Sequence, residues 1–564
     1  MSTGADLLLH RLREHGVEIC FANPGTTELD LVRALERTPG LRCVLGLQEN
    51  ICTGAADGWG RMTGRPAATL LHLGPGLANG AANLHNARRA RTPVINIVGD
   101  HASWHLPFDA PLSSDIESLA RPVSGWVRRI GSAAEASAVA TEAWARSRAG
   151  GGQGVTLVFP ADFQAEEVAA EAVASTVSPP RLSSSPSPAR GEGSGPQDAS
   201  CAGGQEWGTA VAAERLRAAR QPVFLLGGGG ERSALGERGQ RAAARLVAHL
   251  GGRAFAETFP ARAERGGGLP DFDRLPYFPE PARAVLDPAD VVVLAGALPP
   301  VTYFGYPGQP SRMVDDGRLL TLCGPGDDAA AALEALADAL GAPPLPAPAS
   351  QGAAAGSAPA PASPGGGAAS ATTPTPEAPS DPPVDTALTP ALVGALLARA
   401  LPAQAVVSVE GGTCGYPFHA ASAAAARHTA LTNTGGAIGQ GLPVALGAAL
   451  ACPGRRVVAL LSDGSTQYTV QALWSLAHER LPVTVLIAAN HQYAILRNEL
   501  KRGGALLSAA AAAMTSLADP RIDWVALAGA YGVPGCRATT TGEFDDALRQ
   551  AFATPGPMLV EMAL

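Results

Sequence analysis

The sequence predicts an α/β protein of three doubly wound domains with mainly parallel sheets. Three observations carry this. Short apolar, β-branched runs alternate with helical segments along most of the chain, the pattern of parallel strands buried on both faces. Polar turns follow those runs directly, at the strand carboxyl ends where open α/β sheets bind ligands. Two tracts poor in large apolar residues divide the 564 residues into pieces of domain size.

Residues 1–172 form the first unit. A helix over Gly4–His15 carries Leu7, Leu8, Leu9 and Leu12. Strand Glu18–Phe21 runs into the turn Asn23-Pro24-Gly25-Thr26-Thr27-Glu28, where Thr26 or Thr27 can cap the next helix. Strand Cys43–Leu45, helix Glu49–Thr63, strand Ala68–Leu71, a Gly-rich turn, a helix ending at Ala90, and strands Pro93–Val98 and Gly154–Phe159 complete it. Residues 173–204 are Ser/Pro/Gly-rich and read as a linker. Residues 205–341 repeat the pattern, with strand Pro222–Leu226 entering Gly227–Gly230 and strand Val291–Leu294 entering Ala295-Gly296. Residues 342–387 are rich in Ala, Pro, Gly and Ser. They bury too little apolar area to offset ordering entropy, so disorder is expected there. Residues 388–564 form the third unit.

Composition excludes several classes. The net charge of −8 and the lack of a basic stripe argue against nucleic-acid binding. The longest apolar runs are strand-sized, so no membrane span is expected. The first residues lack a basic stretch followed by an apolar core, so no signal peptide is expected. The eight cysteines are scattered without Cys-x-x-Cys spacing, which reads as reduced thiols in a cytoplasmic protein.

The third unit holds the strongest motif. Strands Val457–Leu461 and Val483–Ala489 flank a helical run and end in Asp463 and Asn490. In a βαβ unit those two residues face one crevice. A carboxylate and an amide oxygen are hard ligands suited to Mg²⁺ holding phosphates, and the backbone carbonyl of Gln492 offers a third oxygen. Gly464 lets the backbone come close, and a helix starting near Ser465 presents free N–H groups. An Asp-Gly after a buried strand is by itself only a turn; the Asn ending the next strand is what points to a metal–diphosphate site.

This stretch resembles the cofactor motif of thiamine diphosphate-dependent enzymes, which runs Gly-Asp-Gly, a helix and strand, then Asn-Asn. Here Ser462 takes the place of the first Gly and Ala489 that of the first Asn. The resemblance extends over all three domains and lies nearest the branch of benzoylformate decarboxylase and the acetolactate synthase large subunit. It implies a pyrimidine-binding first domain, a diphosphate-binding third domain, and a middle domain that is structural or holds FAD. It also implies a homodimer or homotetramer, each cofactor lying between the first domain of one chain and the third of another.

Residue by residue, the resemblance assigns Glu49 as the carboxyl held against N1′ of the aminopyrimidine. Its context is Gln48-Glu49-Asn50-Ile51-Cys52-Thr53-Gly54-Ala55-Ala56-Asp57-Gly58. His72 becomes a proton donor or acceptor facing substrate, against the alternative of a structural histidine. Thr26 becomes a contact for the substrate carboxylate, against that of a helix cap. Asn79 borders the cofactor. Gly411 and Thr413 hold the terminal phosphate, Gly436 and Ile438 support the folded cofactor, and Gly464, Ser465 and Tyr493 complete its contacts. Asp463, Asn490 and Gln492 hold Mg²⁺. The implied reaction is decarboxylation of a 2-oxo acid through an enamine, releasing an aldehyde. The run His491–Arg497 and the segment Pro300–Pro307 favour the decarboxylase side. Acetolactate synthase-like carboligation is the alternative. Given Ser462 and Ala489, a cofactor-binding protein with little activity is a further one. His101 and His105 have helical spacing but no acidic partner, and read as a loop beside the site. Gly227–Gly230 lacks a placeable acidic residue at the next strand's end and reads as a tight turn.

Overall fold

The computed structural model describes residues 2–169, 208–345, 386–504 and 506–564. The expected linker 173–204 lies outside them, as do residues 346–385 of the second tract.

The first segment opens with helix α1 (Gly4–Glu14), where the Thr3 hydroxyl caps Asp6 N–H and the Asp6 carboxylate returns the bond to Thr3. Strands β1 (Ile19–Asn23), β2 (Arg42–Leu45), β3 (Ala67–Leu71), β4 (Val94–Asp100), β5 (Trp126–Arg129) and β6 (Gly154–Pro160) form a parallel sheet in the order β2-β1-β3-β4-β6-β5. Helix α2 (Glu49–Thr63) begins at its Gln48 cap and stops at left-handed Gly64. Helix α3 spans Leu73–Ala90. Gly74-Pro75-Gly76 therefore lie in its first turn, not in a separate turn as expected. Proline fits there because the first N–H groups of a helix have no partner within it.

The middle segment builds a parallel sheet from β7 (Pro222–Leu226), β8 (Arg253–Ala256), β10 (Val291–Ala295) and β11 (Leu319–Cys323), in the order β8-β7-β10-β11. Between β8 and β10 in sequence, strand β9 (Ala263–Arg265) leaves this sheet and joins the third. An acidic residue does stand at the end of β8: Glu257 accepts a hydrogen bond from Gly228 N–H at 2.6 Å, and burial pushes its carboxyl up to about 7. The glycine turn is nevertheless closed, because a Cβ on Gly228 would meet Pro260 at 2.5 Å and the Arg262 carbonyl at 2.8 Å.

The third segment contributes β12 (Ala405–Val409), β13 (His428–Thr432), β14 (Val457–Ser462), β15 (Val483–Ala489), β16 (Gly535–Ala538) and β17 (Met558–Ala563). With β9 they form a seven-stranded sheet, β9-β13-β12-β14-β15-β17-β16, in which only β9 runs antiparallel. Helices α4 (Gly412–Ala421), α5 (Gly441–Ala451), α6 (Ala494–Arg502) and α7 (Trp524–Ala530) cover it or follow its turns.

The first and third segments share one core. Ile51, Ala55 and Trp59 of α2 pack with Leu442, Val444 and Leu446 of α5, and with Leu461 and Ile487 from the sheet behind. Glycines bring the two helices close. A Cβ on Gly447 would stand 1.9 Å from the Ala55 carbonyl, and one on Gly58 would stand 2.2 Å from the Val444 carbonyl. Within this seam Arg61 and Asp57 form a buried ion pair at 2.6 Å. Thr92 and Gln440 also donate to Asp57, and Arg61 donates to the Thr432 carbonyl at 2.7 Å.

Among the described residues no helix is long and apolar enough to cross a membrane. Gly447→Ala is expected to lower the unfolding free energy by about 3 kcal/mol, since no flexible side chain can yield to the new methyl. Gly529→Ala, in α7 with nothing within 4 Å of the added carbon, is expected to raise it by about 0.5–1 kcal/mol. Denaturant unfolding of the two variants beside the parent checks both signs.

Candidate active site

The ends of β1 and β3 and the starts of α2 and α3 converge on two carboxylates and a histidine. Glu49, the first residue of α2, is buried, and its Oε2 accepts from Asn79 Nδ2 at 3.0 Å. Gly76 lies between Glu49 and His72: a Cβ there would stand 3.1 Å from Glu49 Oε1 and 3.5 Å from His72 Cβ. His72 Nδ1 is 2.8 Å from Glu28 Oε2. Glu28 is fully buried and also accepts from Gly25 N–H at 2.8 Å and Thr27 Oγ1 at 2.7 Å. An ionised carboxylate only accepts, so Nδ1 carries the hydrogen and Nε2 is left free. Gly25 has to be glycine here, since a Cβ would reach within 2.2 Å of the His72 ring. Leu73, the next residue, has φ +53, a left-handed conformation that costs a non-glycine residue about 1–2 kcal/mol. The chain holds His72 in place against that cost.

A second group stands at the carboxyl ends of β12, β14 and β15. Asp463 is 1% exposed; its Oδ1 accepts from Gly464 N–H at 2.8 Å and its Oδ2 from His491 N–H at 2.7 Å. Burial raises its carboxyl above the ordinary range, and the two amides and nearby His491 pull it part of the way back. Asn490 Nδ2 donates to Thr413 Oγ1 at 3.1 Å, and its Oδ1 accepts from Gln492 N–H at 3.1 Å. The Gln492 carbonyl accepts from Ala494 N–H at 3.1 Å, which leaves one of its lone pairs. Helix α4 begins at Gly412, so the first amides after Gly411 point out of its N-terminus. Gly411 has φ +101, and a Cβ on it would meet Ser462 Oγ. The Ser465 hydroxyl turns back to the Ser462 carbonyl at 3.1 Å. The Tyr493 ring fills the space a Cβ on Gly464 would need.

The loop carrying Gly436 and Ile438 is fastened from below. Glu410 accepts from the amides of Gly439 at 2.8 Å, Gln440 at 3.0 Å and Gly441 at 3.0 Å, and from Asn433 Nδ2 at 3.3 Å. Burial raises this carboxyl too, against the pull of its donors. From the first segment, Asn83 donates to the Gly439 carbonyl at 3.2 Å and Asn86 to the Ala437 carbonyl at 2.8 Å. Ile438 is half-buried on this loop.

The structure thus gathers Glu49, His72 and Asn79 on one side, and Asp463, Asn490, Gln492, Gly411, Thr413, Gly464 and Tyr493 on the other. Among the described residues no hydrogen bond or ion pair joins the two groups. Thr26 is exposed and makes no side-chain hydrogen bond; its neighbour Thr27 reaches His72 Nδ1, at 3.3 Å. No side chain caps the short turn there, contrary to the expected hydroxyl cap. Sequence reasoning missed Glu28 and Glu410. Glu28 sits three residues after a Pro-Gly turn, a spacing that suits a carboxylate closing the turn, but its contact with His72 is long-range. Ser462 has φ −98, extended backbone that any residue adopts, so this position does not require the family's glycine. No cluster of three His, Cys, Asp or Glu side chains is placed to hold a metal among the described residues. His101 and His105 stack edge to face at 5.5 Å in a loop, as expected.

These features define an α/β protein whose strand ends carry two separate groups of buried carboxylates and polar side chains. Two family models match: the thiamine pyrophosphate enzyme N-terminal TPP binding domain over residues 2–119 and the C-terminal TPP binding domain over residues 410–562. The chain is 44% identical to the "Putative acetolactate synthase large subunit IlvX" of Mycobacterium tuberculosis, covering 100% of this chain and 99% of that protein. It is 27% identical to the benzoylformate decarboxylase of Pseudomonas aeruginosa, covering 98% and 97%. In fold it is similar to the thiamine diphosphate-dependent 4-hydroxybenzoylformate decarboxylase of Rhodococcus jostii RHA1, with TM-score 0.79, 24% identity and coverage of 100% and 99%. The chain belongs to the thiamine pyrophosphate enzyme family, and thiamine diphosphate is its cofactor.

The Glu28–His72 contact makes a prediction that needs no substrate. In the parent, ¹⁵N chemical shifts of His72 are expected to report the Nδ1–H tautomer. Glu28→Gln presents an amide that can donate as well as accept, so the Nε2–H form should appear. An unchanged tautomer would contradict the assigned hydrogen bond.

Proposed function

We propose that the protein decarboxylates a 2-oxo acid with thiamine diphosphate and Mg²⁺ and releases an aldehyde. The observation that carries this reading is the Glu28–His72 pair beside Glu49, a proton-transfer group next to the carboxyl that the family resemblance sets against the aminopyrimidine. When bound, the cofactor supplies a thiazolium that accepts the electrons left as CO₂ departs.

The residues fit this group. Asp463 is a buried carboxylate with two amide donors and no close cation, so a divalent ion would compensate it. Asp463, Asn490 Oδ1 and the Gln492 carbonyl would hold Mg²⁺. The α4 N-terminus at Gly411 and the Thr413 hydroxyl would receive the diphosphate. Gly436 and Ile438, on the loop fixed by Glu410, would support the bend of the cofactor, and Gly464, Ser465 and Tyr493 would border it. Glu49, steadied by Asn79, would share a proton with the pyrimidine. His72 would move a proton at Nε2 while Glu28 holds Nδ1–H, and Thr26 at the rim would meet the substrate carboxylate. A proton source next to the reacting carbon favours an aldehyde over a new carbon–carbon bond. Carboligation of 2-oxo acids is the second reading, supported by full-length similarity to the acetolactate synthase-like relative.

No hydrogen bond or ion pair joins the two groups within the described residues of one chain, which is consistent with a homodimer or homotetramer holding the cofactor between chains. Trp104 and Phe108, 69% and 73% exposed on the loop after β4, support a partner surface there. The expected domain limits (1–172, 205–341 and 388–564) are retained in this reading, with a cytoplasmic location.

Glu49→Gln is expected to lower turnover about 10²–10⁴-fold while thiamine diphosphate still binds. Asp463→Ala should lose Mg²⁺-dependent cofactor binding, measured by calorimetry. Protonation of the raised Asp463 carboxyl competes with the cation, so Mg²⁺ affinity should fall as pH is lowered. The deciding experiment is a 2-oxo acid panel with mass analysis of products, with and without an acceptor aldehyde. Aldehyde and CO₂ in equal amounts support decarboxylation; 2-hydroxy ketones without free aldehyde overturn it in favour of carboligation.

A further inference from the structure

A second cleft, of about 350 Å³, opens behind the diphosphate group, near the ends of β15, β16 and β17, and is lined by His491, Arg521, Asp523, Arg537 and Glu561. Its volume suits a small organic ligand, and its charges are incompletely paired. Glu561 lies inside β17 and is 4% exposed. Its carboxylate accepts no hydrogen bond among the described residues, and its one cation, Arg537, stands 3.6 Å away. Arg521 makes no hydrogen bond or ion pair among the described residues. Asp523 is engaged in capping α7, accepting from Ala526 N–H at 2.9 Å. His491 has φ +53, strain of the kind held at functional positions.

We propose that this cleft binds a small zwitterion, a free α-amino acid, with its carboxylate on Arg521 and Arg537 and its ammonium on Glu561. A simple anion would leave the buried Glu561 uncompensated, and a simple cation would leave Arg521 unpaired. A molecule carrying both charges a few bonds apart satisfies both. The ligand would also lie against His491, whose backbone N–H holds Asp463 Oδ2 at 2.7 Å. Its binding therefore shifts cofactor affinity. That second step rests on the proposed role of Asp463; the binding itself does not.

The test is calorimetric titration of the full chain, with and without thiamine diphosphate and Mg²⁺, against the proteinogenic amino acids. Butyrate, inorganic phosphate and butylamine serve as single-charge probes. At least one amino acid should bind saturably, with the single-charge probes about tenfold weaker or more. Arg521→Ala, at the exposed rim, should weaken that amino acid about tenfold, the loss of one charge-assisted contact, without changing the melting temperature. Glu561→Gln should weaken it similarly. Absence of binding by every amino acid overturns the site. Equal binding of phosphate or butyrate overturns the zwitterion, and unchanged affinity in Arg521→Ala overturns the assigned contact. If the amino acid binds, thiamine diphosphate affinity should change severalfold in its presence, as linkage requires. No change overturns the coupling while leaving the binding result standing.

Discussion

The buried Asp57–Arg61 pair and the helix seam around it set the geometry on which the rest of the site depends. The pair joins successive turns of α2, and Arg61 also reaches the Thr432 carbonyl. Gln440 closes the network onto Asp57. Every polar atom named there has a partner, so the cost of burying two charges is met by hydrogen bonds on both sides. Removing one partner of such a pair costs about 3–5 kcal/mol, because the other charge stays buried. With no side chain at Gly54, Gly58 and Gly447, the two helix backbones come closer than any side-chain layer would permit. The pair then has only one register in which to form.

That register reaches the site from both ends. Glu49 is the first residue of α2, so its position along the helix axis is set by contacts two to three turns away. Gln440 sits at the cap of α5, and the loop before it carries Gly436 and Ile438. Asn83 and Asn86 of α3 hold that same loop by its carbonyls, while Asn79, one turn earlier on α3, holds Glu49. One helix thus fixes both the carboxyl of the first segment and the loop of the third. Strain at Leu73 is sustained because His72 is tied to Glu28 and the rest of α3 is packed.

Much of this was legible in the sequence. The strands Pro222–Leu226 and Val483–Ala489 have the bounds that their apolar runs suggest, and helix Glu49–Thr63 has both of its ends. Each is a continuous pattern closed by a turn residue. Strand β9 was not legible, because Ala263-Glu264-Arg265 is short and charged. Its partner in the sheet is β13, more than 160 residues away, and its charges are paired, Glu264 with Arg262 at 3.0 Å and Arg265 with Asp271 at 2.8 Å. At the site, Asp463 and Asn490 stand out by their places at two strand ends, whereas Glu49 and His72 are drawn from the family resemblance. Glu28 does not stand out, since its role is a hydrogen bond to a residue 44 positions away. The substitution at Ser462 looked more serious in sequence than it is, because only the backbone angle shows that glycine is not needed there.

Glu410 and Asp463 show why residue type and burial alone do not tell how a carboxylate is used. Both are buried carboxylates just past the ends of adjacent strands, and burial raises both. An ionised carboxylate offers about four lone-pair sites. Glu410 has four donors on it, three amides and an asparagine side chain, so its capacity is spent on holding the α5 N-terminus and the loop before it. Asp463 has two amides, from Gly464 and His491, and its nearest cationic candidate is the His491 ring at 4.0 Å. It alone of the two keeps lone pairs unused. The number of donors around each group, rather than its charge or depth, separates the carboxylate that fixes the frame from the one that keeps unused lone pairs.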